Sequence, residues 1–124
     1  MKYLLIATFT QYDPDTRKVE VALRSVGFVK SVKEAIALAC DDLGNDALVF
    51  ADNIYGEEPE TKDEQNDKQF WIENYVADME VEDISDADFV DLKPGEGKEI
   101  ARATSESYYY QDTHLYGLIK IGGK

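Results

Sequence analysis

The charge of this chain is confined to one stretch. Residues 52–91 hold fifteen carboxylates against two lysines, Lys62 and Lys68, a balance of −13 that equals the formal charge of the whole 124-residue protein. The remaining 84 residues carry 11 acids and 11 bases and are neutral. Any compact fold has to hold those carboxylates against their mutual repulsion. General halophilic adaptation spreads acid over every exposed face, so a neutral two-thirds beside an acidic third argues for a local purpose.

The length fits one domain, residues 1–124, large enough to bury a core without staples. An apolar content of 44% excludes compositional disorder despite the charge. A single cysteine excludes an internal disulfide framework and fits a reducing compartment. The apolar run from Tyr3 to Ala7 is too short for a signal peptide, and no run reaches membrane-spanning length. The expectation is a soluble protein of the cytoplasm, of a cell or of an infected host. Its charge disfavours direct contact with nucleic acid or anionic lipid and attracts basic surfaces.

Along the chain, Tyr3, Leu4, Leu5, Ile6 and Ala7 are apolar on both faces of a strand, which predicts an interior position in a sheet. Asp13-Pro14-Asp15-Thr16 is a turn. From Lys18 to about Val29, Val19, Val21 and Leu23 alternate with Lys18, Glu20 and Arg24, predicting a half-exposed strand that completes a hairpin. Ser31-Val32-Lys33-Glu34 is a capping box opening a helix whose stripe includes Val32, Ile36, Ala39, Cys40 and Leu43, with Gly44-Asn45 as its stop. Residues 47–55 then read as a third strand. Thr61-Lys62-Asp63-Glu64 opens a second helix, to about Glu80, with Trp71, Ile72, Tyr75, Val76 and Met79 in one arc. A strand from Phe70 is the rival reading of that segment. Ser85 and Asp88 suggest a short helical turn through Phe89, closed by Pro94-Gly95. Residues 99–110 and 113–121 predict a closing hairpin around Gln111-Asp112, with Leu115, Ile119 and Ile121 on one face. The fold class is α+β: an antiparallel sheet of about five strands, two hairpins plus a central strand, under two main helices.

Catalytic and cofactor chemistry finds little support. Calcium-loop spacing fails from Asp63, which meets Lys68 at position six, and from Asp83, which meets Asp88 there. Gly95-Glu96-Gly97-Lys98 lacks the first glycine and the Ser/Thr of a phosphate loop and reads as a turn. Cys40 reads as an inert core residue and His114 as a solvent-facing one beside a turn. No nucleophile elbow is present. Tyr108-Tyr109-Tyr110 reads as strand tyrosines facing alternate ways. No catalytic residue, metal ligand or cofactor is assigned, and the chain is expected not to be an enzyme.

The acidic third carries the functional expectation. Phe70 falls on the acidic side of the second helix, an aromatic ringed by carboxylates, as at the anchor of an interface with a charged rim. The expected partner-binding residues are Asp63, Asp67, Phe70, Glu73, Asp78, Glu80, Glu82, Asp83, Asp86 and Asp88. In size and acidity the chain is similar to phage anti-defence proteins (anti-restriction or anti-CRISPR) and to immunity proteins against nuclease toxins, without sharing a motif with them. That similarity of type implies a small inhibitor that takes the place of nucleic acid on the basic surface of a nuclease, restriction enzyme or CRISPR effector. One alternative is a protein–protein binding or assembly module whose acid only solubilises, contacting its partner through a sheet edge or through Tyr109 and Tyr116. Another is a small-molecule-binding protein or enzyme.

Overall fold

The computed structural model describes residues 2–106 and 111–122. Five antiparallel strands lie in the order β2-β1-β5-β4-β3. They are β1 (Lys2–Asp13), β2 (Lys18–Val29), β3 (Met79–Val81), β4 (Gly97–Glu106) and β5 (Gln111–Gly122). Two helices, α1 (Val32–Tyr55) and α2 (Lys62–Ala77), pack on one face of this sheet. The fold is therefore α+β. β1 is interior, paired from Tyr3↔Val29 to Asp13↔Lys18 on one side and with β5 on the other. Its turn is held by Asp13, whose carboxylate accepts the Asp15 N–H at 2.9 Å.

The third strand is not where the sequence placed it. Residues 47–55 continue α1, which runs 24 residues straight through Gly44. Ala35, Ala39, Leu43, Ala47 and Ala51 recur every fourth residue and are fully buried. That small-residue stripe lies against the sheet, and burying it outweighs the roughly 1 kcal/mol that a mid-helix glycine costs. The run Leu48-Val49-Phe50 imitated a strand because a short apolar run has no period of its own. The helix ends instead at Gly56, whose φ of +86° suits glycine and whose N–H bonds Asp52 O at 2.9 Å.

α2 starts as expected, with Thr61 Oγ1 accepting the Glu64 N–H at 3.2 Å. It stops at Ala77, and Met79–Val81 becomes the edge strand β3, pairing with Ala101–Ala103 of β4. Both readings of this segment hold in part, helix first and then strand. Between β3 and β4 a short 3-10 turn, Asp86–Phe89, buries Phe89 edge-on against Tyr3, ring centres 5.2 Å apart. Gln111 and Asp112 already belong to β5, paired with Glu106 and Ser105, so they are not the turn of the last hairpin. Tyr108, Tyr109 and Tyr110 lie outside the described residues.

The strand faces run opposite to the expected sense. Tyr3, Leu5 and Ala7 point under the helices, and the register places Val29, Gly27 and Arg24 of β2 beside them. Val19, Val21 and Leu23 therefore point away from the helices and are exposed. On β5 the helix side carries Asp112, His114, Tyr116, Leu118 and Lys120, all buried, while Leu115 and Ile119 face the other way and are only partly covered.

Gly44 has open space where a Cβ would be added, whereas Gly56 needs its positive φ. Gly44→Ala should therefore raise unfolding free energy by about 0.5–1 kcal/mol, and Gly56→Ala should lower it. Urea titrations read both, and two changes of the same sign would contradict the continuous helix.

Candidate functional site: the acidic edge

The acidic segment follows the β3 side of the molecule from one end to the other. It leaves the C-terminus of α1, runs along α2, turns into β3 and crosses the 3-10 turn toward β4. On α2 the residues Asp63, Asp67, Phe70 and Asn74 succeed one another at spacings of four, three and four, so they share the outer face. Glu73 is exposed on the same side of the helix. Phe70 stands among them with 69% of its surface open to solvent. Asp78 forms the C-cap of α2, Glu80 lies on β3, and Glu82 and Asp83 follow directly; all are exposed.

Two expected contact residues have structural duties. Asp86 accepts the Val32 N–H at 2.9 Å and the Tyr3 hydroxyl at 3.2 Å. A carboxylate from 54 positions away thus meets the positive N-terminal end of α1. Asp88 accepts the Ser85 N–H at 2.8 Å and closes its own turn. The other eight, Asp63, Asp67, Phe70, Glu73, Asp78, Glu80, Glu82 and Asp83, hold no long-range contact of this kind among the described residues.

What keeps the carboxylates free is where the bases go. Among the described residues, Asp52 is the one acid of residues 52–91 that forms an ion pair, with Lys68. Lys68 is buried, and its ammonium also donates to Gly56 O at 2.9 Å and Glu57 O at 3.0 Å, covering the carbonyl end of α1. Lys120 is buried too, and its ammonium donates to Phe89 O, Val90 O and Leu92 O at 3.1, 3.1 and 2.9 Å. Each lysine clamps one loop of the acidic segment by its backbone, and of the carboxylates only Asp52, at the end of α1, is paired with either of them. Arg102, the base beside Asp78 and Glu80, is held by Glu99 at 2.9 Å.

His114 is the largest departure from expectation. It is 1% exposed, with its ring tilted against Phe9, ring centres 4.8 Å apart. Its Nε2 lies 3.2 Å from the Asp46 carboxylate and its Nδ1 lies 3.3 Å from the Tyr75 hydroxyl. A carboxylate only accepts, so Nε2–H donates to Asp46, and the Tyr75 hydroxyl is the hydrogen-bond partner of Nδ1. Asp46 also accepts from Arg24 at 3.0 Å, and Asp42 accepts from Arg24 at 2.7 Å and from Tyr116 at 2.8 Å. Tyr116 is therefore interior and offers no partner surface. This chain of bonds joins the sheet to both helices, and the imidazole is sealed by rings on both sides. Its sequence signal was the alternation Asp112, His114, Tyr116, Lys120, which resembles an outward polar face. Cys40 is only partly buried on α1.

Among the described residues no three His, Cys, Asp or Glu side chains gather as metal ligands would, and no helix is long and apolar enough to cross a membrane. No family model, curated protein or solved structure matches this chain.

Two carboxylates on this side of the sheet, the half-buried Asp46 and the buried Asp112, shift oppositely. The hydrogen bond from His114, aided by Arg24, holds the Asp46 carboxyl below its usual 3.8 against the burial that opposes it. Burial pushes the Asp112 carboxyl above 3.8, against Gln11 and His114, and its Oδ1 has no partner among the described residues. The Asp46 contribution is present above about pH 4 and is lost as pH falls through its lower folded value; the Asp112 cost appears as pH rises past about 4. From about pH 3 to about pH 7, stability relative to the parent should therefore move against Asp46→Asn and in favour of Asp112→Asn. Denaturant titrations across that range check the two slopes.

Proposed function

We propose that this protein is a small inhibitor that docks its acidic edge on the basic, nucleic-acid-binding surface of a partner protein. The observation that carries the reading is the separation of charges: exposed carboxylates without ion pairs along α2 and β3, while Lys68, Lys120 and Arg102 are committed to other partners.

The dimensions support the same reading. The 16 residues of α2 span about 24 Å at 1.5 Å per residue. A duplex groove of that length is shaped for about fourteen phosphate charges, at one per 1.7 Å, and the edge offers it the four carboxylates of α2, Asp63, Glu64, Asp67 and Glu73, with Asp78, Glu80, Glu82 and Asp83 beyond the helix end. Arginines and lysines shaped for phosphate meet carboxylates instead, with fast, electrostatically steered association. Phe70 supplies an apolar anchor within the charged rim. Nucleases, restriction enzymes and CRISPR effectors present such surfaces, and on this reading the protein serves an anti-defence or immunity function in the cytoplasm of a cell or an infected host.

Capture of a basic nucleic-acid-handling protein from lysate should weaken steeply between low and high salt. The triple variant Asp67→Lys, Glu73→Lys, Asp78→Lys changes only exposed positions and should fold as the parent does while losing capture. Capture that is indifferent to salt and survives the triple variant would overturn the proposal.

A further inference from the structure

We propose that the sheet face opposite the helices is a self-association surface, on which two copies of this chain pack face to face as a β-sandwich dimer. This inference is independent of the acidic edge. Its starting point is the pattern of β2. A strand's alternation is set by what each of its faces meets. On β2 the charged residues Lys18, Glu20 and Arg24 take the helix side, and Val19, Val21, Leu23 and Phe28 take the open side, 56–69% exposed. The binary pattern thus marks the open side as the one that is covered.

The patch continues across the sheet. Leu23 lies opposite Thr8, which lies opposite Leu115, and Phe28 lies opposite Leu4, which lies opposite Ile119. On β4 the same face turns polar, with Arg102 bonded to Glu99. An apolar centre with a polar rim is the anatomy of an interface. Its size suits a dimer: four strands about 4.8 Å apart and about ten residues long at 3.3 Å make a face of about 600 Å² in projection. Two such faces bury about 1,200–1,600 Å² once side-chain relief is counted, which is the range of specific complexes.

Charge selects the occupant. On the open side of β2, β1 and β5 the described side chains carry one formal charge, Lys2 at the rim, with its ammonium 5.0 Å over the Phe28 ring. A chain of net charge −13 is repelled by its own copy almost everywhere else. A near-neutral apolar face is where a second copy can approach, and apolar-to-apolar contact satisfies the self-complementarity a two-fold interface requires. Sheets so apposed pack about 10 Å apart with strands within about 30° of each other.

Sedimentation equilibrium of the full chain over low to high micromolar concentration should give a mass of about 28 kDa, twice the 14.0 kDa of one copy. Dimerisation should hold or strengthen as salt rises, because screening relieves repulsion between the copies. Val21→Lys with Leu23→Lys changes residues already exposed in the single chain, so far-UV circular dichroism should be unchanged. Symmetry places each change twice in the interface, and the dimer dissociation constant should rise by at least about a hundredfold. A parent chain of 14.0 kDa at every concentration, or a dimer that the double variant leaves intact through some other contact such as the β2 edge, would sink the proposal.

Discussion

One face of one strand holds the molecule together. β5 is central in the sheet, and its helix-facing side chains reach three other elements: His114 touches Asp46 on α1 and Tyr75 on α2, Tyr116 bonds Asp42 on α1, and Lys120 gathers three carbonyls of the turn after β3. Leu118 fills the apolar core between them. The alanine stripe of α1 supplies close contact but little directionality, since small side chains slide past one another at little cost. Hydrogen bonds in a poorly solvated interior are strong and directional. They fix where along the sheet each helix stops, and an element that slipped would strand a buried polar group, at about 1–3 kcal/mol.

The acidity of the surface follows from the same arrangement. Burying an ammonium is tolerable only when its protons are matched, and a carboxylate is the usual match. Here Lys120 is matched by carbonyl oxygens alone, and Lys68 by two carbonyls and Asp52. Carbonyls left open at the end of a helix or a tight turn need donors in any case. Each lysine therefore completes two deficits at once, and neither neutralises the carboxylates of α2. Self-repulsion along the edge is then carried by the scaffold: Thr61 secures the start of α2, Lys68 ties α2 to the end of α1, and Lys120 secures the turn beyond β3.

Much of the fold was legible in the sequence, and apart from residues 47–55, whose short apolar run imitated a strand, what was misread shares one cause. The periods were right: alternation on β2 and β5, and a 3.6-residue rhythm on α1 and α2 with caps at Ser31 and Thr61. The sense of the alternation was not. Val19, Val21 and Leu23, like Leu115 and Ile119, look like a core face because apolar residues usually point inward. In this molecule the inward face of β5 is a polar network and the inward face of β2 includes Arg24. A period carries no sign, and only the partners on the neighbouring helix, Asp42 and Asp46, supply it. The same gap placed His114 in solvent. The acidic edge was readable because exposed charge needs no partner to be identified, whereas Lys68 and Lys120 as clamps required the carbonyls that tertiary structure brings to them.

The two surfaces proposed to act on other molecules obey different physics, and the carboxylates of α2 lie across the sheet from the apolar patch, while Glu80 of β3 sits beside Arg102 at the polar rim of the open face. The carboxylates of α2 stand outside the helix layer, about one helix diameter of 10–12 Å beyond the sheet. In a face-to-face pair the two α2 ridges are separated by two helix layers and the interface, more than 30 Å or so, against a screening length of about 8 Å at physiological salt. Repulsion between ridges therefore costs an apolar contact little, and each ridge stays open to a cationic surface. Had the carboxylates been spread around the exterior, every approach of a second copy would have met them. Concentrating the charge on one edge is what leaves the other face free to be apolar.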